Sequence, residues 1–374
     1  MSGNSFRSRI VALLAISVVV STSGAVSAQS SSTVVLRDLT VIPDVLIEAF
    51  DDNEVRLSDG ARLSWDQILR ADVPDEQRAE FDRRLSQIGL PLFRIKSRLA
   101  SGDWWSIGSI AEPMYDLIRP GGDASGFQFD VRTRYLISMA AMYGRIHSGE
   151  RELAVEPFVL AAMLQPQIPD AVDQPFALSA DEVESGICHR LLPVWFDRAH
   201  ARLSLNEFSA NVGAGGFPAV GGVLIYRASL AIAAGEFAVA GADIDQLRLQ
   251  GSHPDWVKVL EASLLVSQDR IDEGLQLLRA RDSFSRPCRA VALYLEGMHP
   301  SPSALSSDAS LVSLLTIPAL FGESFEELAS AALYGAAERT GADGKSGDRR
   351  ILTNELLRRY PNTYHGRLAA SNEK

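Results

Sequence analysis

A short Gly-acid turn recurs along this chain and restricts its fold more than any other feature. Ser101-Gly102-Asp103, Ser148-Gly149-Glu150, Ala234-Gly235-Glu236, Ser267-Gln268-Asp269 and Ser346-Gly347-Asp348 each follow one apolar-periodic run and precede another. Glycine reaches the left-handed conformation that closes a helix, and an acid after it can cap the next helix or meet its positive start. The runs between the turns have helical spacing. Leu136, Met139, Tyr143 and Ile146 recur every three or four residues, as do Leu153, Pro157, Leu160 and Leu164 beyond the turn. Val257, Leu260 and Leu264 are answered in the same way by Ile271, Leu275 and Leu278. Each such helix has one apolar face that a neighbour must cover. The pattern predicts stacked helical hairpins over residues 73–374.

Residues 29–72 read instead as a small β segment. Val34-Val35-Leu36 and Val45–Phe50 are candidate strands, and Val55–Trp65 is a hairpin. A two-residue Asp59-Gly60 loop would set Leu57 opposite Arg62 and mix the faces. A three-residue loop, Ser58-Asp59-Gly60, pairs Leu57 with Ala61 and Val55 with Leu63, keeping one face apolar with Gly60 in the left-handed position. Ser64 and Gln67 have capping-box spacing, so a short helix is expected from Trp65. Ser179 and Glu182 repeat that spacing after a Pro-rich stretch, 165–180, which is where the helical region would divide. Gly213–Gly222 is a Gly-rich turn with Pro218 near the next helix start, and His299–Ser310 is a Ser- and Pro-rich loop.

The turns resemble those of tetratricopeptide-type repeats. Ser267-Gln268-Asp269-Arg270-Ile271-Asp272-Glu273-Gly274 carries the resemblance best, and Leu356–Thr363 looks like a repeat end. The turn spacings are 47, 86, 33 and 79 residues, and only one approaches the ~34 of a regular repeat. Pro113 and Pro157 also fall where a regular repeat has none. A degenerate array is the implied fold: mainly α, an irregular helical-hairpin array with a small N-terminal β segment. The combination is similar to uncharacterised exported proteins of planctomycete-type bacteria, a similarity that implies no activity.

Residues 1–28 read as a secretory signal peptide. Arg7 and Arg9 precede an apolar run, Ile10–Val20, and Val26-Ser27-Ala28 supplies small residues for cleavage before Gln29. A periplasmic or secreted protein is expected, with no membrane span after cleavage. The remaining 346 residues hold 34 basic against 47 acidic side chains, a net charge of −13. Phosphate binding needs a basic surface, so nucleic acid is excluded as an expected partner. Cys188 and Cys288 are either bridged, which export permits, or separately buried as small apolar groups.

The familiar signatures of chemistry fail on inspection. Gly344-Lys345-Ser346 has Arg339 where a P-loop needs its first glycine. Gly213-Ala214-Gly215 has Pro218 in place of the third glycine of a dinucleotide fingerprint. The six histidines, His147, His189, His200, His253, His299 and His365, lack close ligand spacing, so neither metal nor cofactor is expected. Asp103, Glu112, Glu150 and Glu236 are the candidates for paired carboxylates. Trp104 and Trp105 follow the first turn directly. Read as adjacent helical residues they cannot both enter the core, which makes them the candidate binding aromatics. The expected function is a non-enzymatic interaction scaffold of the cell envelope with a protein or peptide partner. The alternative is a glycan- or peptidoglycan-acting enzyme with a helical toroid and paired carboxylates.

Overall fold

The computed structural model describes residues 32–119, 127–168, 176–212, 216–300 and 307–372. The signal-like segment, residues 169–175 of the Pro-rich stretch, 213–215 of the Gly-rich turn and 301–306 of the Ser- and Pro-rich loop lie outside them. The fold is mainly α with a small N-terminal β segment.

Six short strands come first: β1 (Thr33–Leu36), β2 (Val41–Pro43), β3 (Ile47–Phe50), β4 (Glu54–Leu57), β5 (Arg62–Ser64) and β6 (Ile68–Ala71). They form two antiparallel sheets of three, ordered β2-β1-β6 and β3-β4-β5. The hairpin has the register that keeps its apolar face whole. Val55 pairs with Leu63, the Leu57 amide donates to the Ala61 carbonyl at 2.9 Å, and Gly60 has φ 87°. Trp65 opens a single 3-10 turn, with the Ser64 amide donating to Gln67 Oε1 at 3.0 Å. Its buried indole donates to the Asp51 carbonyl and packs against Phe50 and Phe81. β2 and β6 were not expected as separate strands. β6 pairs with β1 across more than thirty residues of chain, a contact that local patterning does not encode.

Helices follow: α1 (Asp75–Arg84), α2 (Leu90–Ser101), α3 (Gly108–Asp116), α4 (Val131–Ser148), α5 (Val155–Leu164), α6 (Ala180–Ser185), α7 (Arg198–Asn211) and α8 (Gly221–Ala234). The second half holds α9 (Phe237–Gln250), α10 (Pro254–Ser267), α11 (Ile271–Leu277), α12 (Arg286–Met298), α13 (Ser307–Leu320), α14 (Glu326–Ala342), α15 (Ser346–Arg359) and α16 (Tyr364–Asn372). Sequence neighbours pack as antiparallel partners through most of the array: α3 on α4, α4 on α5, α7 on α8, α8 on α9, α12 on α13, α13 on α14 and α14 on α15.

Three of the five expected turns close their helices as anticipated. At Gly149 (φ 87°) the Glu150 amide reaches back to the Arg145 carbonyl and the Gly149 amide to that of Ile146. Gly102 and Gly235 repeat this Schellman pattern. In the fourth turn the left-handed residue is Asp269 (φ 62°) rather than Gln268. The fifth is displaced. Gly344 (φ 76°) closes α14, with the Lys345 amide on the Thr340 carbonyl, while Ser346-Gly347-Asp348 already forms the first turn of α15. Helix capping also differs from expectation. Glu236 sits at an N-cap position without a side-chain cap, whereas Asp130, Ser179 and Asp197 accept from first-turn amides.

The apolar faces build two cores that meet on α8, a helix buried nearly all round. Tyr226, Leu230 and Ala231 face the first core, and Leu224, Ile225 and Ala228 the second. The irregular segment 187–196 runs between the same cores. Cys188, Leu191 and Trp195 enter the first; Ile187 and Leu192 enter the second, and Phe196 packs against it. The Trp195 indole donates to Ser229 Oγ on α8 at 2.8 Å, so no polar atom of this wedge's largest ring is orphaned. No helix among the described residues is long and apolar enough to cross a membrane.

Candidate functional site

A polar cleft of about 350 Å³ lies where turns from distant parts of the array meet. Trp105 stands on one side, with Ile146 and His147 from the last turn of α4. Arg151, just past the Gly149 turn, and Arg190 of the wedge form the base. The α13–α14 turn and the start of α14, Glu323 to Leu328, line a further part of it, and the α15–α16 turn adds Asn362 and Thr363.

Local interactions hold each wall. Trp104 and Trp105 are not helical; they occupy the turn between α2 and α3, so the argument from adjacent helical residues does not apply. Arg98 and Ser106 both bond the Asp103 carboxylate and fix this turn. Trp104 is half-buried and stacks on Tyr143 with centroids 4.4 Å apart, whereas Trp105 is 64% exposed. His147 lies beside both indoles, at 5.9 Å from Trp104 and 6.1 Å edge-on from Trp105. Its Nδ1 is 2.9 Å from the Tyr143 carbonyl, which can only accept, so Nδ1 carries the proton of the neutral ring. Burial, assisted by Arg190, holds the His147 pKa below the ordinary imidazole value, against the opposing pull of the Tyr143 carbonyl and, more weakly, of Glu326.

Glu182 positions the wedge. Its carboxylate accepts from the Ser179 amide, as the capping box requires, and from the His189 amide, each at 2.9 Å. Arg190 then lies over the Tyr143 ring, 5.2 Å from its centroid. Elsewhere in the lining, Thr363 Oγ1 caps α16 by accepting from Gly366, and Glu327 accepts from the Tyr364 amide. Arg367 of α16 lies against the Gly149 turn, where a Cβ would stand 2.0 Å from its Nη2. A residue larger than glycine would have to move the Arg367 guanidinium aside and would itself be strained at φ 87°.

The four acids considered as catalytic pairs do not converge. Glu112 is held by a bidentate contact to Arg145 at 2.7 and 2.8 Å. Asp103 is bound by Arg98 and Ser106, Glu150 accepts from Ser148 Oγ at 3.2 Å, and Glu236 stands at the N-cap of α9. Cys188 and Cys288 are free, buried thiols, one in each core, so the bridge between them is not formed. Burial raises the pKa of both thiols, that of Cys288 to about 12, which leaves neither as a ready nucleophile. Among the described residues no three His, Cys, Asp or Glu side chains gather as metal ligands.

Sequence reasoning singled out Trp105 but missed Arg151, Arg190, Glu323 and Glu326. The charged residues stand beside helix ends, where charge is ordinary, and nothing local marks them as neighbours. Comparison with protein-family models, curated proteins and solved structures gives no match.

Proposed function

We propose that this is an exported, non-enzymatic binding protein of the cell envelope that recognises a polypeptide in the cleft beside Trp105. The observation that carries the reading is the exposed Trp105 at a cleft with charged walls of both signs. An indole with most of its area open to solvent offers a large apolar contact at little cost in conformational freedom. The charged walls suit the polar main chain and side chains of a peptide. Of the four acids considered as catalytic pairs, Asp103, Glu112 and Glu150 are each engaged in local contacts. Export rests on the leader-like residues 1–28. The tetratricopeptide-like relationship is proposed on the turn residues quoted above, with curvature bringing distant turns together.

Affinity selection of a random hexapeptide library on the purified protein tests this reading. Enriched peptides should compete with one another and lose binding to the Trp105→Ala variant. Turnover of a polysaccharide or peptidoglycan, abolished by one Asp or Glu substitution, would replace it with an enzymatic function.

A further inference from the structure

Arg151 is only 5% exposed, yet it lines the cleft. Among the described residues its guanidinium makes one hydrogen bond, from Nη2 to the Arg190 carbonyl at 3.1 Å; no carboxylate contacts it directly, and the buried Glu152 beside it in the chain acts on it only through its charge. Nε is shut off from solvent without a partner, so the Nη atoms are the ones that can meet a ligand, and the flat face of the group lies over Trp195 at 5.7 Å. Burying a guanidinium is costly unless its donors are used. A guanidinium whose Nη hydrogens are not all used matches a carboxylate better than any neutral group. Arg190, exposed and likewise without a carboxylate partner among the described residues, stands beside it.

The α13–α14 part of the lining has the reverse character. Glu323 and Glu326 are exposed and form no ion pair among the described residues. A phosphate with two charges would face these carboxylates across the same small volume, and a dication would face Arg151 and Arg190. A ligand with one charge of each sign satisfies both walls. A space of 350 Å³ is ~7 Å across if taken as a cube, comparable to the ~7 Å that two extended residues span.

We infer that the cleft binds a small zwitterionic peptide of about two residues, its carboxylate on Arg151 and Arg190 and its ammonium on Glu323 and Glu326. Trp105 and His147 cover the side chains between the two charges. This rests on the polypeptide reading above and names its ligand class.

Titration calorimetry with alanyl-phenylalanine tests the inference. The comparison probes are the same dipeptide amidated at its C-terminus, the same dipeptide acetylated at its N-terminus, a hexapeptide capped at both ends, and inorganic phosphate. The free dipeptide should bind, and each single cap should weaken it about 10-fold or more, the loss expected for a charge-assisted hydrogen bond. Arg190→Ala should weaken the free dipeptide but leave the residual affinity of the amidated form unchanged. Glu326→Gln should do the converse with the acetylated form. Arg151→Lys, which keeps the charge but loses the fork, should weaken carboxylate binding. Both exposed-site variants carry the test if the buried substitution prevents folding. Equal binding of free and capped dipeptides, or equal competition by phosphate, overturns the inference. If the capped hexapeptide binds in a Trp105-dependent way while caps on the dipeptide do nothing, recognition of chain ends fails and polypeptide recognition stands. If no peptide binds, both fail.

Discussion

Acid should loosen this protein through His365, and the size of the effect follows from its surroundings. The ring is 9% exposed, and Phe196, Tyr334 and Tyr364 pack around it with centroids 4.6, 5.1 and 5.1 Å away. Its Nδ1 has no hydrogen-bond partner. Burial in this aromatic setting lowers the pKa from 6.5 to about 4. The unfolded chain therefore takes up a proton that the folded chain refuses. The stabilisation is fully present above the unfolded value and is lost as pH falls from 6.5 towards 4. Each pH unit in that window is worth about 1.4 kcal/mol, so the full contribution is roughly 3 kcal/mol and about 2 kcal/mol of it is gone at pH 5. Denaturant unfolding of wild type and His365→Phe at pH 7.5 and pH 5.0 isolates it, since His147, His253 and His299, whose pKa values are also lowered, remain in both. The wild type should lose about 2 kcal/mol more than the variant between the two pH values. An equal loss in both proteins would refute the assignment of acid sensitivity to this ring.

Gly144→Ala should lower stability by roughly 1–3 kcal/mol, because the added Cβ would stand 2.6 Å from the Gly108 Cα where α3 and α4 cross. Chemical denaturation would show the change in midpoint, and an unchanged midpoint would mean that the crossing relaxes freely. Trp104→Ala should lower the melting temperature, since its ring stacks on Tyr143, whereas Trp105→Ala should change stability by less than about 0.5 kcal/mol. Thiol counting without reductant should find two reactive thiols after denaturation and slow reaction of both in the native protein; zero thiols in the denatured chain would establish a bridge instead.

Features encoded within a few residues were legible in the sequence. The hairpin register, with Gly60 left-handed, follows from apolar alternation alone. Both serine-led capping boxes formed where Ser64–Gln67 and Ser179–Glu182 placed them. Errors arose where two local solutions competed. Gly344 and Gly347 both suit a turn, and only the left-handed bond from Lys345 to Thr340 decides between them. Trp104 and Trp105 left the helix because Arg98, Asp103 and Ser106 together stabilise a turn. The cleft was illegible for a different reason. Helical periodicity states which face of each helix is covered, but not how steeply successive hairpins rotate. That rotation brings residues 146–151 against 323–328. The burial of Arg151 is likewise a consequence of the wedge 187–196, whose alternating commitment to two cores has neither helical nor strand period.

Recognition of a peptide in this cleft turns on Trp105. A peptide selected on the wild-type protein should bind the Trp105→Ala variant on the order of 30-fold more weakly, the loss of a ~2 kcal/mol aromatic anchor. The melting temperature, measured on the same samples, should stay where it is, because the ring packs on the surface. Undiminished affinity in the variant would contradict recognition in this cleft, and weakened affinity accompanied by a large fall in melting temperature would assign Trp105 to the fold rather than to the ligand.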